Sequence, residues 1–421
     1  MRGLTYANVY RIYLGVFSFL FFCVPNLTSL GVILFIPLVL IGIYRKELRF
    51  HFQWTMMLLI GVYLIYLIGI FFTDNMYLAS RYAENKLSFL IFPLLFLFRP
   101  TFTLSYVSLL IGSTLGILGA SIIGILSAYG CYANGGELRT CFTSVYISTL
   151  HHPTYFATFI ALVVFGVWGA FLRKEPFFKV SWILPFSLFA LIMFTLCLSL
   201  SAFLFVAILA AAIVLRWIRN RYGKKVYRIF LLATPLTIAL FLVLMPGLRN
   251  DVLLTFSTVK KYMNDPKGFL SGKTGYKTGN EVRLVMWTVT MEEIGKHPLG
   301  VGTGNVDAHL SHRLTQYGQL DLAKQDEHGA IQYNPHNQFL QTGLEIGIFG
   351  LFVLLLFIGQ TWRLARTYKN YLLMALVASL VVNSLFESML QRQSGIVFYA
   401  FWMCLLTLIS ISNTKIQAQE K

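Results

Sequence analysis

The sequence predicts an all-α polytopic membrane protein, and three observations carry that prediction. Apolar runs long enough to cross a hydrocarbon core, which takes about 20 helical residues, recur from one end of the 421-residue chain to the other. Charged residues make up 12% of the chain against 57% hydrophobic, far below the roughly 25% charged expected of a soluble domain. The basic residues, 34 Lys and Arg against 17 Asp and Glu, gather mainly in short connections between the apolar runs, as the positive-inside rule requires. A nucleic-acid binder would collect its positive charge on one polar face. Nucleic acid is therefore excluded as a partner, and the bilayer is the expected one.

Taken in order, the runs give about twelve transmembrane helices by that length criterion. They fall near residues 9–24, 28–44, 53–72, 84–98, 105–128, 153–172, 181–198, 201–217, 228–245, 338–360, 371–387 and 396–412. The first follows a single basic residue, Arg2, and lacks a small-x-small cleavage site, so it reads as a retained span and not a signal peptide. The connections at 45–49, Arg99, 173–179, 216–225 and 362–369 and the tail from Lys415 are basic and fall on one side. That side is the expected cytosol and holds both termini. The other side receives 73–83, 129–152, the tight turn 199–200, the long segment 246–337 and 388–395. The long segment carries ten Lys and Arg against nine Asp and Glu, the near-neutrality of a translocated loop. The chain thus divides into an N-terminal bundle of about nine helices (1–245), a partly helical non-cytosolic loop (246–337) and about three C-terminal helices (338–421).

Inside the long loop, Val282, Val285, Met286, Val289 and Ile294 fall at helical spacing. They predict an amphipathic helix over 282–295 lying near the membrane surface and ended by Gly295 and Pro298. The Gly- and Lys-rich run at 265–280 predicts a mobile turn region. Cys131 and Cys141 flank a loop on the non-cytosolic side, where either a disulfide or two free thiols would fit. Cys23, Cys197 and Cys404 sit in apolar runs and are expected to pack there.

Arg283 opens the predicted surface helix. A guanidinium keeps its charge and grips phosphate oxygens through a rigid fork, although an arginine there could also snorkel to lipid headgroups. His336 stands between Pro335 and Asn337 at the entry to an apolar run. Its imidazole could take a proton from an attacking hydroxyl or serve only as a loop residue, with Asn337 the better helix cap. His297, His309, His312 and His328 share the segment, and spacing does not choose among them. Gly300, Gly302 and Gly304 in HPLGVGTGN form a turn whose amides could hold an anion or merely reverse the chain. Arg81, Glu84 and Lys86 lead into the fourth span, His151 and His152 open the sixth, and Glu387 and Arg392 bracket the turn before the last. All face the non-cytosolic side, as cavity lining if they converge and as interfacial anchors if they do not. No HExxH, Walker-type or paired acidic motif occurs, so no metal and no cofactor is expected.

RLVMWTVTMEEIGKHPLGVGTGN and PHNQFLQTGLEIGIFGL combine an Arg-led helix, P-x-G-x-G, a variable insert, His-Asn and E-x-G-x-x-G. Together they resemble the signature of the O-antigen ligase and O-antigen polymerase superfamily. RYAENKLSFLIFPLLF and ESMLQRQSG look like its Bacteroidetes-type ligase branch. The resemblance implies a GT-C-like, metal-independent glycosyltransferase in the bacterial inner membrane. Such an enzyme moves a glycan from undecaprenyl diphosphate to an acceptor at the periplasmic face, and in the ligases that acceptor is lipid A-core. Carried over, Arg283 would bind the diphosphate, His336 would activate or position the acceptor hydroxyl, and Asn337, Gly300 and Gly302 would contact substrate. Members often carry a second arginine in a T/S-x-S-R pattern, where this chain has Ala202. Arg81, Lys86 or Arg392 is expected to replace it. The same layout would also suit an O-antigen polymerase, a protein O-oligosaccharyltransferase, or a lipid-linked glycan flippase or other transporter.

Overall fold

The computed structural model describes residues 5–244, 246–271 and 279–419. Helices α1 (Tyr6–Cys23) and α2 (Thr28–Tyr44) are followed by α3 (Trp54–Ile70), α4 (Met76–Lys86), α5 (Ser88–Phe96) and α6 (Val107–Ala133). A short α7 (Leu138–Cys141) precedes α8 (Pro153–Leu172), α9 (Val180–Leu196) and α10 (Leu200–Leu244). The long segment contains α11 (Pro246–Asn264), α12 (Pro266–Leu270), α13 (Gly279–Lys296), α14 (Val306–Gln316) and α15 (Leu320–Ala323). The chain closes with α16 (Gln338–Thr367), α17 (Tyr371–Ser384) and α18 (Gln393–Gln419). Two short strands, β1 (Leu48–Phe50) and β2 (Phe98–Pro100), pair antiparallel with Arg49 opposite Arg99. Two of the basic connections expected on one side thereby meet.

Among the described residues, seven helices are long and apolar enough to cross a membrane, and the shorter apolar helices α3, α9 and α17 accompany them. The protein is a multi-pass, mostly helical membrane protein. One expected span differs from the structure. The run at 84–98 is not one helix: α4 ends at Lys86 and α5, nine residues long, begins at Ser88. The expected spans at 201–217 and 228–245 both fall in α10, which is broken between them at Gly223, where φ is 82°; residue 245 lies outside the described residues.

The bundle core is dominated by aromatic side chains, with Phe17, Phe92 and Phe96 all packed against Phe401 of α18. In α18, residues 395–412 are buried, which makes it the axis of the bundle and not a lipid-facing helix. Helices α1 and α6 touch through glycine: a Cβ on Gly112 would overlap the Gly15 carbonyl. Close backbone approach of this kind is how helices gain packing energy where no hydrophobic drive separates protein from lipid. Cys131 and Cys141 are joined in a disulfide, with Cα atoms 5.6 Å apart.

The long segment forms a second, separate core. Val285, Met286 and Val289 of α13 pack with Val306, Leu310 and Leu314 of α14 and with Leu344 of α16. The apolar face of α13, expected to rest on the membrane, is instead covered by protein. The expected turn region at 265–280 is also corrected in part. Residues 266–270 are helical, with Asp265 capping the Gly268 amide at 2.9 Å and with Phe269 and Leu270 buried. Residues 272–278 of that run lie outside the described residues.

One joint ties the second core to the bundle. Helix α16 breaks at Ile346 and Gly347 (φ 74°), which frees backbone groups that an unbroken helix would use. The Leu344 and Glu345 carbonyls accept from the Val301 and Gly302 amides at 2.8 and 3.1 Å, and the Ile348 amide donates to the Pro298 carbonyl at 2.9 Å. The approach needs glycine on both sides: a Cβ at Gly300 would crowd the Gly347 nitrogen, and one at Gly347 would crowd Leu299. Both positions also have positive φ, which side chains beyond Gly avoid. The turn then docks on the end of α3, with Thr303 donating to the Gly69 and Tyr66 carbonyls through its amide (3.1 Å) and hydroxyl (2.7 Å). The P-x-G-x-G and E-x-G-x-x-G patterns are thus the two halves of one interlock.

Candidate functional site

Arg283 lies in the first half of α13, Glu387 in the loop between α17 and α18, and His336 just before α16. They meet across the gap between the two cores. Arg283 Nη2 is 3.2 Å from Glu387 Oε1, and His336 Nδ1 is 3.1 Å from Glu387 Oε2. One carboxylate therefore holds a guanidinium on one oxygen and an imidazole on the other. With Nδ1 donating to Glu387, the lone pair of His336 lies on Nε2, the arrangement in which a carboxylate fixes a histidine tautomer.

The backbone of His336 is held in an unfavourable conformation to achieve this. Its φ is 47°, a region that costs a non-glycine residue on the order of 1–3 kcal/mol. Asn334 offsets the strain: its Oδ1 accepts from the His336 amide at 2.8 Å and from Ser388 Oγ at 3.1 Å. Asn337 Nδ2 donates to the Leu385 carbonyl at 3.2 Å, while its Oδ1 accepts from the Phe339 and Leu340 amides. The segments around 336 and 387 are thus stitched together, which fixes the imidazole and the carboxylate relative to each other.

Burial opposes ionisation of Glu387, but the hydrogen bond and charge of His336, with His152 and Arg283 beyond, outweigh it and hold its carboxyl below the usual range. His152, at the start of α8, belongs to the same group. Burial lowers its affinity for a proton, Glu387 opposes that, and Arg392, His336 and Arg283 add to the lowering. Its Nδ1 and Arg283 Nε are buried without a hydrogen-bond partner among the described residues. Trp287 Nε1, one helical turn along from Arg283, is in the same condition. Buried polar groups are normally paired, so these atoms beside the ion pair leave hydrogen-bonding capacity that a ligand with polar oxygens could take up.

The other residues singled out by sequence divide. Arg392 is exposed and acts on His152 through its charge, and Arg81 is exposed on α4. Lys86 is not an available cation: fully buried, it lies 3.7 Å from Glu345 Oε1, donates to Gln391 Oε1 at 3.0 Å and sits over the Tyr66 ring. Gly300 and Gly302 do not form an open anion cradle. The amide of Gly300 donates to the His297 carbonyl, and that of Gly302 to Glu345. Asn337 is the helix cap of α16. His151 is buried between Ser394 Oγ (3.2 Å) and the Phe22 carbonyl (3.1 Å), a packing role. Ala202, where the resemblance expects a second arginine, is buried, and its amide donates to Ser199 Oγ, which in turn reaches Thr154 Oγ1. The sequence marks Glu387 as one of several charges near a span end and gives it no individual role, because its two partners come from distant parts of the chain.

Residues 185–355 match the family model described as O-antigen ligase. The matched segment runs from α9 into α16 and includes Arg283 and His336, and it supports the O-antigen ligase and polymerase superfamily that the motifs resemble. No curated protein matches the chain. The match supports a glycosyltransferase-like enzyme of ligase or polymerase type acting on lipid-linked glycan in a membrane.

Proposed function

We propose, with the O-antigen ligase match as premise, that this chain transfers a glycan from undecaprenyl diphosphate to a lipid A-core hydroxyl. The transfer takes place at the periplasmic face of the bacterial inner membrane, with both termini in the cytoplasm and about twelve spans in a GT-C-like arrangement. The observation that carries this reading is the bridging of Arg283 and His336 by Glu387 beside unpaired donors.

In this reading the acceptor oxygen attacks the anomeric carbon while the bond from that carbon to the diphosphate oxygen breaks. The electron pair leaves with the diphosphate. His336 Nε2 takes the acceptor proton, and Glu387 stabilises the imidazolium that results. Arg283, tethered through Nη2, keeps Nε and Nη1 for the charge that develops on the leaving diphosphate, where a fixed cation is worth most. His152, kept neutral by its surroundings, is placed to hydrogen-bond a sugar hydroxyl or a phosphate oxygen. Arg392 supplies positive charge at the rim and takes the place of the arginine missing at Ala202. The disulfide fits a non-cytosolic loop at 129–152, on the side assigned to the site.

Purified protein given one lipid-linked glycan, with lipid A-core or a second lipid-linked glycan as acceptor, tests the assignment. Glycan-bearing lipid A-core is the expected product. Chain extension on the second lipid-linked glycan, with lipid A-core untouched, would make the enzyme a polymerase. Movement of intact donor across a vesicle with no new covalent product would make it a transporter.

A further inference from the structure

At the end of α13, Glu293 continues the buried face that carries Met286 and Val289, and His297, the next residue after the helix, stands four residues on and therefore beside it. The glycine turn reverses the chain, and α14 brings His309 back beside them. His309 Nδ1 is 3.4 Å from Glu293 Oε2, and His297 Nε2 is 3.9 Å from the same oxygen. The three donor atoms all lie within 4.8 Å of one another. Tetrahedral zinc, with bonds of about 2.0–2.1 Å to nitrogen and oxygen, holds neighbouring ligand atoms about 3.3 Å apart. The cluster needs only a small contraction to reach that spacing.

We infer that Glu293, His297 and His309 form a binding site for one divalent cation of the zinc class, separate from the glycan-transfer site. Two imidazoles and one carboxylate suit a borderline ion and not calcium or magnesium, which take oxygen ligands. The carboxylate is already oriented: Lys296 Nζ holds Glu293 Oε1 at 2.6 Å and leaves Oε2 toward the two rings. An outer partner of this kind is what fixes a metal-ligating carboxylate. The Glu293 side chain is 6% exposed and the two rings are 41% and 30% exposed. The cluster is therefore rooted in the protein and open on one side, where water would complete the coordination. The Glu293 and His297 pair lies at the start of the turn that interlocks with α16, and His309 lies just after it. A bound ion would clip α13 to α14 and hold the base of that turn closed. A local ion pair of Glu293 with Lys296 and His309 is the competing account of the same contacts.

The test uses the full-length protein in detergent, stripped with a chelator and titrated with zinc chloride against a chromophoric competitor. One equivalent per chain is expected. His309→Ala and His297→Ala should each weaken binding by at least about tenfold, the lower end of the loss that follows removal of an outer partner of a ligand. His312→Ala, one turn along α14 on an exposed histidine, should leave it unchanged. Zinc should raise the melting midpoint of the wild type and not that of His309→Ala. Binding below one equivalent, or zinc affinity unchanged in both His309→Ala and His297→Ala, would overturn the site and leave the ion pair alone. Because the readouts are affinity and melting, glycan transfer can fail or succeed without altering the result.

Discussion

Two cation–carboxylate pairs flank the loop between α17 and α18, and they differ in one respect. Lys86 and Glu345 are both fully buried: Lys86 Nζ donates to Gln391 Oε1 and lies over the Tyr66 and Tyr82 rings, Glu345 Oε2 accepts from Gln391 and Gln341, and Glu345 Oε1 faces the Lys86 ammonium at 3.7 Å. Arg283, Glu387 and His336 are partly open, and around them Arg283 Nε, His152 Nδ1 and Trp287 Nε1 have no hydrogen-bond partner among the described residues. In a membrane protein both pairs invite a functional reading. The difference shows that charge is not the discriminator. A pair sealed from solvent on both sides secures two elements, while one that stays partly exposed can still be reached by a ligand.

The comparison breaks first if the open pair proves dispensable. Glu387→Ala should free His336 and Arg283 from their shared anchor and lower kcat for glycan transfer by about 10²-fold or more, the scale of losing an oriented general base. Glu387→Gln, which keeps an acceptor but loses the charge, should recover part of the rate. For the closed pair the expected damage is to folding and not to chemistry. Lys86→Met strands Glu345 in the core and should cost on the order of 3–5 kcal/mol, whereas Lys86→Met with Glu345→Leu should recover much of it. Thermal melts in detergent measure both. The interlock between the regions should be sensitive to a single methyl group: Gly300→Ala meets both a positive φ and the Gly347 backbone. A loss of roughly 1–3 kcal/mol or more is expected.

The smallest effect sharpens the comparison through pH. Asp307, buried beneath α4, is pushed up to about 6 by desolvation and by the nearby Glu345, with the Tyr82 hydrogen bond opposing. An aspartate raised above its usual 3.8 favours the fold while protonated. Its contribution is complete below that value and is lost as pH rises through about 6. Asp307→Asn should therefore flatten the fall in melting midpoint between pH 4 and 7 relative to wild type. An unchanged slope would separate Asp307 from the closed network.

Much of this was readable from the chain itself. Apolar runs mark where helices cross, because hydrocarbon tolerates no unpaired backbone, and Arg283 and His336 stand out because their types are rare beside such runs. Pairing was not readable. Lys86 looks like a free cation until Glu345 is brought against it from the far side of the bundle. Gly300 and Gly302 announce unusual backbone, yet only the break at Gly347 shows that their amides are used within the protein. The same limit hid His309, whose proximity to Glu293 depends on the path of the turn, and Glu387, whose partners Arg283 and His336 lie on two separate elements.

The most direct measurement is single-turnover glycan transfer by wild type, Arg283→Ala, His336→Ala and the double variant, each matched for folding by its melting midpoint. The account predicts that both single variants lose at least about 10²-fold and that the double variant loses little more, since the two groups act on one displacement. A folded double variant that transfers glycan at the wild-type rate would contradict it.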